Sequence, residues 1–419
     1  MTGMRDERVP VLGDPGADDE RMLSPGAVRR ASLALVDRVR GGDLGSLPVI
    51  VGLVVIWTAF QLLNPVFLSS RNLVNLTMQC AATGTIALGI VLVLLIGEID
   101  LSVGSVSGLA AAILAVTLVE LQWNPLLAVG AAILAGVLAG LVYGYLFTKF
   151  GLPSFVITLA GLLGFLGLQL WVLGAAGSIN IPTDSWLVEF AQQMFLPPWA
   201  SYVVAVLAVA AYAWSLISRA RRRAAANLVS QSYTGIAVRA AALLVFLLVA
   251  AWYLNLWRGV GLMFLFFVGL VVVMNLVLTR TRWGRSVYAV GGSVEAARRA
   301  GIRVDRVYFM VFALCSGLAA VGGILAASRL GAANQSTGGG DVNLNAIAAA
   351  VIGGASLFGG RGTAFSALLG IVVIQSISSG LTLLNLDSSV RFMVTGVVLV
   401  LAVIVDSISR RTRAATGRA

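Results

Sequence analysis

From residue 48 to residue 408 the chain is a nearly unbroken succession of apolar runs separated by short polar joints. Each run is near the roughly 20 residues that a helix needs to cross about 30 Å of hydrocarbon, and a helix satisfies all of its backbone groups within itself there. The runs fall at 48–68, 73–96, 103–121, 125–148, 153–174, 199–217, 238–257, 260–279, 307–327, 343–360, 363–383 and 390–408. The expected fold is all-α, a polytopic transmembrane bundle of 10–12 spans, with the glycine-rich stretches 97–104 and 353–362 broken or re-entrant. Hydrophobic residues make up 59% of the chain and charged residues 11%. No soluble core could hide that much apolar surface, because too little polar surface would remain to cover it.

The same composition excludes several chemistries. There is no histidine, so the usual general base and commonest metal ligand are missing, and no metal site is expected. The two cysteines, Cys80 and Cys315, lie far apart in apolar runs and read as buried thiols. The single lysine, Lys149, stands in TKFG, where no phosphate-cradling glycine loop exists. If ATP drives this protein, another chain binds it. An integral membrane enzyme would lack both a metal site and a strained G-x-S-x-G nucleophile.

The net charge of +11 follows from topology. With the polar tail 1–47 placed inside and the spans alternating, the inner side receives Lys149, the RARRR cluster 219–223, the loop 280–306, Arg361 and the basic tail 409–419. The outer side keeps Arg71, Arg258, Arg329 and Arg391. This is the positive-inside pattern, with both termini cytoplasmic, and it leaves no charge that calls for nucleic acid. Residues 175–198 then form an outer loop and 199–257 an additional helix pair.

Polar residues inside the spans carry the functional signal. LIGEIDLSVGSVSG (95–108) places Glu98 and Asp100 at the end of a span, where acids are costly without a partner, a cavity or the interface. Asp100 or Ser102 can cap the following helix, and a contact with solute or a gate is compatible with that. In AVIGGASLFGGRGTAFSALLG (350–370), Gly353, Gly354, Gly359 and Gly360 suit a sharp bend or hinge. The other embedded polar groups are neutral: Gln79, Thr83, Gln169, Asn343, Asn345, Gln375 and Ser376. Hydroxyls and amides suit an uncharged hydroxylated solute better than an ion, although interhelical hydrogen bonding is the better account of most of these residues.

The longest charged loop, 280–309, contains SVEAARRAG. Ser293 as N-cap, Glu295 in the first turn and Gly301 as stop predict a short helix, too polar to span and exposed to a partner. EAARRAGI, followed by FALCSGLAAVGGILAA and GGASLFGGRGTAFSALLG and preceded by GEIDLSVGS, resembles the permease subunits of bacterial ABC sugar importers. The likeness is to the ribose/galactose/xylose type, and the additional segment at 175–257 is similar to the xylose permeases.

This resemblance implies a permease of the bacterial inner membrane that carries a monosaccharide, xylose or another pentose, and performs no covalent chemistry. It implies a permease homodimer, an extracytoplasmic sugar-binding protein, and a separate cytosolic ATPase that binds ATP and Mg. The family's coupling helix maps onto Glu295, Ala296, Ala297, Arg298 and Gly301. GEIDLSVGS, with Glu98, Asp100, Ser102 and Gly104, maps to the translocation path or its gate, to which Asn343 and Asn345 are added as polar residues of a facing span. The rival expectation is an ion-coupled secondary transporter of a small polar solute, with Glu98 or Asp100 as the titrating carboxylate.

Overall fold

In the computed structural model, residues 47–227 and 232–387 are described continuously, together with 389–390, 392–397, 400, 404 and 407. The segments read as terminal tails, and about half of the run 390–408, lie outside the described residues. Chain segments 46–404 cluster as one unit, and the other unit, 1–45 with 405–419, falls almost wholly among the undescribed residues.

The helices in chain order are α1 (Leu47–Leu63), α2 (Ser70–Leu95), α3 (Val103–Ala115, continued by a π turn to Glu120), α4 (Pro125–Phe150) and α5 (Ser154–Leu173). Beyond a short strand β1 (Ser178–Asn180) come α6 (Trp186–Gln192), α7 (Pro198–Ala225), α8 (Tyr233–Asn255) and α9 (Leu262–Arg280). Two short helices, α10 (Arg282–Gly292) and α11 (Val294–Arg299), lead into α12 (Val304–Leu330). Strand β2 (Ala332–Asn334), α13 (Asp341–Ile352) and α14 (Phe365–Leu383) follow. Nine of these are long and apolar enough to cross a membrane: α2, α3 with its extension, α4, α5, α7, α8, α9, α12 and α14.

Local chemistry sets many of the helix ends. Asn124 accepts from the Leu126 amide with Pro125 in the first turn, and α4 stops at Gly151 in the left-handed region. Ser69 caps α2 through the Asn72 amide, and Thr281 caps α10 through that of Gly284. In contrast, α7 runs beyond the apolar run 199–217 and straight through the RARRR cluster to Ala225.

Packing then sorts helices that are apolar all round. The spanning part of α2 is 89% buried and that of α12 67%, whereas α8 is at 11%. Thus α2 and α12, with α3 at 72%, form the centre and α7–α8 the periphery, where Trp214 and Trp252 point outward. Small residues permit the close central contacts. Gly136, Gly140 and Gly144 repeat at four-residue spacing on α4 and lie on α12; a Cβ at Gly136 would stand 2.6 Å from that of Ala320, and one at Gly140 2.7 Å from the Ala313 Cα.

The run 343–360 is not one continuous helix, and the break falls at the glycine-rich stretch where it was expected. Its helix, α13, ends at Ile352 and is followed by non-helical chain before α14 begins at Phe365. The alanines of α13 and the apolar residues of 355–358 read as continuous hydropathy, but the glycines between them turn the backbone. Helix α1 has 17 residues and packs on α14, with Trp57 Nε1 donating to Ser376 Oγ at 2.8 Å.

Candidate functional site

The two ends of the bundle are chemically distinct. At one end, strands β1 and β2 pair antiparallel and join the loop before α6 to the chain leaving α12. Gln169, near the end of α5, anchors this strand pair by donating to the Thr337 carbonyl at 2.9 Å. The opposite end carries Lys149 at the close of α4, the arginines that close α7 and α9, and those of α10 and α11.

At the arginine-rich end, α10 and α11 form an excursion too polar to cross a bilayer. Ser293 caps α11 through the Ala296 amide, Glu295 lies in the first turn, and Gly301 turns the chain with φ +81°. Ala297 is buried, while Glu295, Ala296, Arg298 and Gly301 are exposed. Helix α10, which the sequence reading left as loop, fixes the excursion to the bundle. Gly360 N donates to the Leu95 carbonyl at 2.9 Å, and Gly291 lies directly against both groups. Tyr288 donates its hydroxyl to the Gly362 carbonyl at 2.9 Å, and burial raises its phenol pKa, which keeps the proton on this donor.

The glycine-rich break meets the other break at the same place, since Gly359 packs on the backbone of Gly97. Gly354, Gly359 and Gly360 have φ values of +101°, +82° and +71°, which favour glycine. Gly353 has an ordinary φ of −70°; its need is space, because a Cβ there would collide with the Ser366 backbone.

Asp100, Ser102, Gly104 and Asn343 lie together around the start of α3. Asp100 is fully buried, and its Oδ1 accepts from the Ser102 amide at 2.8 Å and the Ser102 hydroxyl at 2.7 Å. Cys315 Sγ, also fully buried, lies 3.7 Å from Asp100 Oδ2. The expected cap is therefore displaced: Asp100 organises the residues before α3, and Ser102, in the capping position, makes no side-chain cap bond. Asn343 donates to the Leu101 carbonyl at 2.7 Å, and Gly104 admits the Gly338 and Asn343 backbones. Glu98 is half-buried beyond the end of α2.

A polar cavity of about 300 Å³ lies elsewhere in the bundle. Its walls are the faces of four helices: Gln79, Ala82 and Thr83 of α2, and Ala326, Arg329 and Leu330 of α12. Opposite them stand Asp341, Val342 and Asn345 from the first turns of α13, and Gln375, Ser378 and Thr382 of α14. Asn345 Nδ2 donates to Asp341 Oδ2 at 3.2 Å and orients the carboxylate.

Of the six residues assigned from the sequence to a path or gate, only Asn345 lines this cavity. Gln79, Thr83 and Gln375, read there as embedded neutral groups, line it as well, whereas Gln169 and Ser376 serve as packing anchors. Arg329 and Asp341 were missed as site residues because each looks like a loop-edge charge. The i, i+3, i+7 spacing of Gln375, Ser378 and Thr382 was a legible sign of one polar face.

Residues 72–403 match the family described as branched-chain amino acid transport system / permease component. The chain is 37% identical to the xylose transport system permease protein XylH of Escherichia coli, over 82% of this chain and 87% of that one. It is 32% identical to the Haemophilus influenzae protein of the same name, over 87% and 96%. It is 31% identical to the ribose import permease protein RbsC of Bacillus subtilis, over 87% and 94%. No solved structure matches the chain. Nine apolar helices of spanning length, two meeting glycine breaks and a family match from the start of α2 past the end of α14 lead to one conclusion: this chain belongs to the branched-chain amino acid transport system / permease component family.

Proposed function

We propose that this chain is the permease subunit of an ATP-binding cassette importer that carries a pentose, xylose before ribose, across a bacterial inner membrane. The observation that carries the reading is the α10–α11 excursion. It presents a short capped helix outside the bundle while its Gly291 touches the end of α2 and the break between α13 and α14. A partner that moves this excursion moves both breaks, because backbone packed on backbone cannot yield as long side chains do.

The partner is a cytosolic ATPase that binds ATP and Mg and engages Glu295, Ala296, Arg298 and the turn at Gly301. The arginine-rich end faces the cytoplasm, as the positive-inside rule requires. The end that carries the β1–β2 pair faces a sugar-binding protein, and two copies of the permease form the assembly. Nucleotide binding by the ATPase biases two states of the permease by its differential affinity for them. Glu98 and Asp100 belong to the gate region between the breaks, with Asn343 holding α13 to the Leu101 carbonyl.

Affinity purification of the chain from its native membrane, followed by mass spectrometry, tests this reading. A stoichiometric P-loop ATPase that is lost with Glu295→Arg supports it. A clean eluate, with solute uptake that follows an ion gradient and survives ATP depletion, would establish an ion-coupled carrier instead.

A further inference from the structure

The cavity between α2, α12, α13 and α14 has features that helix packing alone does not require. Four helices contribute polar faces to it, and polar faces in hydrocarbon are costly without partners. Arg329 is only half-buried, and among the described residues no hydrogen bond or ion pair engages its guanidinium. Its carbonyl accepts from Gln192 Nε2 at 3.0 Å. Asp341 faces the same space, held by Asn345 with one oxygen, so the wall carries one charge of each sign. Gln79, Thr83 and Gln375 add groups that both donate and accept.

We propose that this cavity is a binding site for a neutral monosaccharide, in which Arg329 and Asp341 bind adjacent hydroxyls and exclude charged analogues. The assignment rests on the importer reading. A sugar hydroxyl donates one hydrogen bond and accepts others, which matches a wall of guanidinium, carboxylate and amides. A sugar acid or phosphate would lie against Asp341 with a single arginine to offset it, and a cation would lie against Arg329. A volume near 300 Å³ is at the small end of ligand pockets and equals about ten water volumes, enough for a pentose. Among the described residues no aromatic ring lines the cavity, so hydrogen bonds hold the solute, and a carrier that must release its cargo needs a weak hold of this kind.

The test uses the full chain assembled with its ATPase and sugar-binding protein in proteoliposomes, with radiolabelled D-xylose and D-ribose as probes. ATP-dependent uptake of either sugar by the wild type is required first; its absence overturns the importer reading and this assignment with it. Given uptake, Arg329→Gln and Gln375→Met are expected to lower it at least tenfold in complexes that still co-purify with the ATPase. Asp341→Asn is expected to admit D-xylonate, which the wild type rejects. A second measurement guards against misfolded variants. Cys80 and Cys315 are buried, so Ser378→Cys supplies a distinct thiol in the cavity wall. The transported sugar should slow its alkylation at least threefold. Wild-type uptake by both cavity variants, or alkylation of the Ser378→Cys thiol unaffected by a transported sugar, would overturn the assignment while leaving the importer reading intact.

Discussion

Gly291 and Gly292 are adjacent at the end of α10, yet the structure treats them oppositely. A Cβ at Gly291 would overlap the Leu95 carbonyl oxygen and stand 2.6 Å from the Gly360 nitrogen; at Gly292 it would meet nothing within 4 Å. For alanine to fit at Gly291, the Leu95 carbonyl must retreat by about an ångström or more to restore ordinary contact. That retreat breaks its 2.9 Å bond from Gly360 N. Overpacking of this kind costs about 1–3 kcal/mol, and an enclosed donor left without its acceptor costs about 1–3 kcal/mol more. Alanine's better helix propensity returns about 1 kcal/mol at most, and less at a helix end. Gly291→Ala should therefore destabilise the arginine-rich end by about 2–4 kcal/mol, while Gly292→Ala should be neutral or slightly stabilising. Both variants would be purified in the same detergent, and tryptophan fluorescence would report the midpoint of thermal unfolding and the inactivation half-life at one fixed temperature. Gly291→Ala is expected to lose several degrees and most of its half-life. Equal stability of the two variants would refute the proposed rigid contact between excursion and bundle, and with it the mechanical route from α10 to the two breaks.

Three further outcomes follow from other contacts. Gly140→Val should separate α4 from α12, since a Cβ at Gly140 already meets the Phe312 backbone; a loss of about 3 kcal/mol or more, or failure to accumulate in the membrane, is expected and is read by fluorescence size-exclusion chromatography. Asp100→Ala removes both Oδ1 hydrogen bonds from Ser102 and leaves a buried amide and hydroxyl unpaired; a loss of about 2–4 kcal/mol is expected, with Asp100→Asn milder because its amide oxygen still accepts, and paired thermal melts check the order. Gly301→Val forces a branched side chain to φ +81° at about 1–2 kcal/mol locally, and its Cβ meets nothing. The bundle should keep its melting behaviour while ATPase co-purification falls.

Much of the local structure was legible because its causes are local. Asn124 before Pro125, Gly151 after Lys149, and the Ser293-to-Gly301 interval mark helix ends through caps and backbone conformation, which depend on a few adjacent residues. The break in the 343–360 run was signalled by its glycines, but where it falls is set by Gly353 lying on Ser366 and by Gly354 at φ +101°. The excursion was half-legible: α11 announces itself by its cap, but the attachment of α10 depends on Leu95 and Gly360, far away in sequence.

The amino-acid sequence by itself determined that this protein is a polytopic helical bundle with broken spans and that its charge gathers on one side. Those properties follow from the length, apolarity and basic flanks of each segment, which are local sums. Only the tertiary structure decided which polar residues meet. Gln79 and Gln375 share a cavity with Arg329 and Asp341, while Asp100 closes on Ser102 and Cys315 elsewhere. Helices that are apolar on every side have no preferred inward face, so the pattern along each one cannot name its neighbours. Close packing of small residues does that, by allowing some backbones to touch and holding others apart.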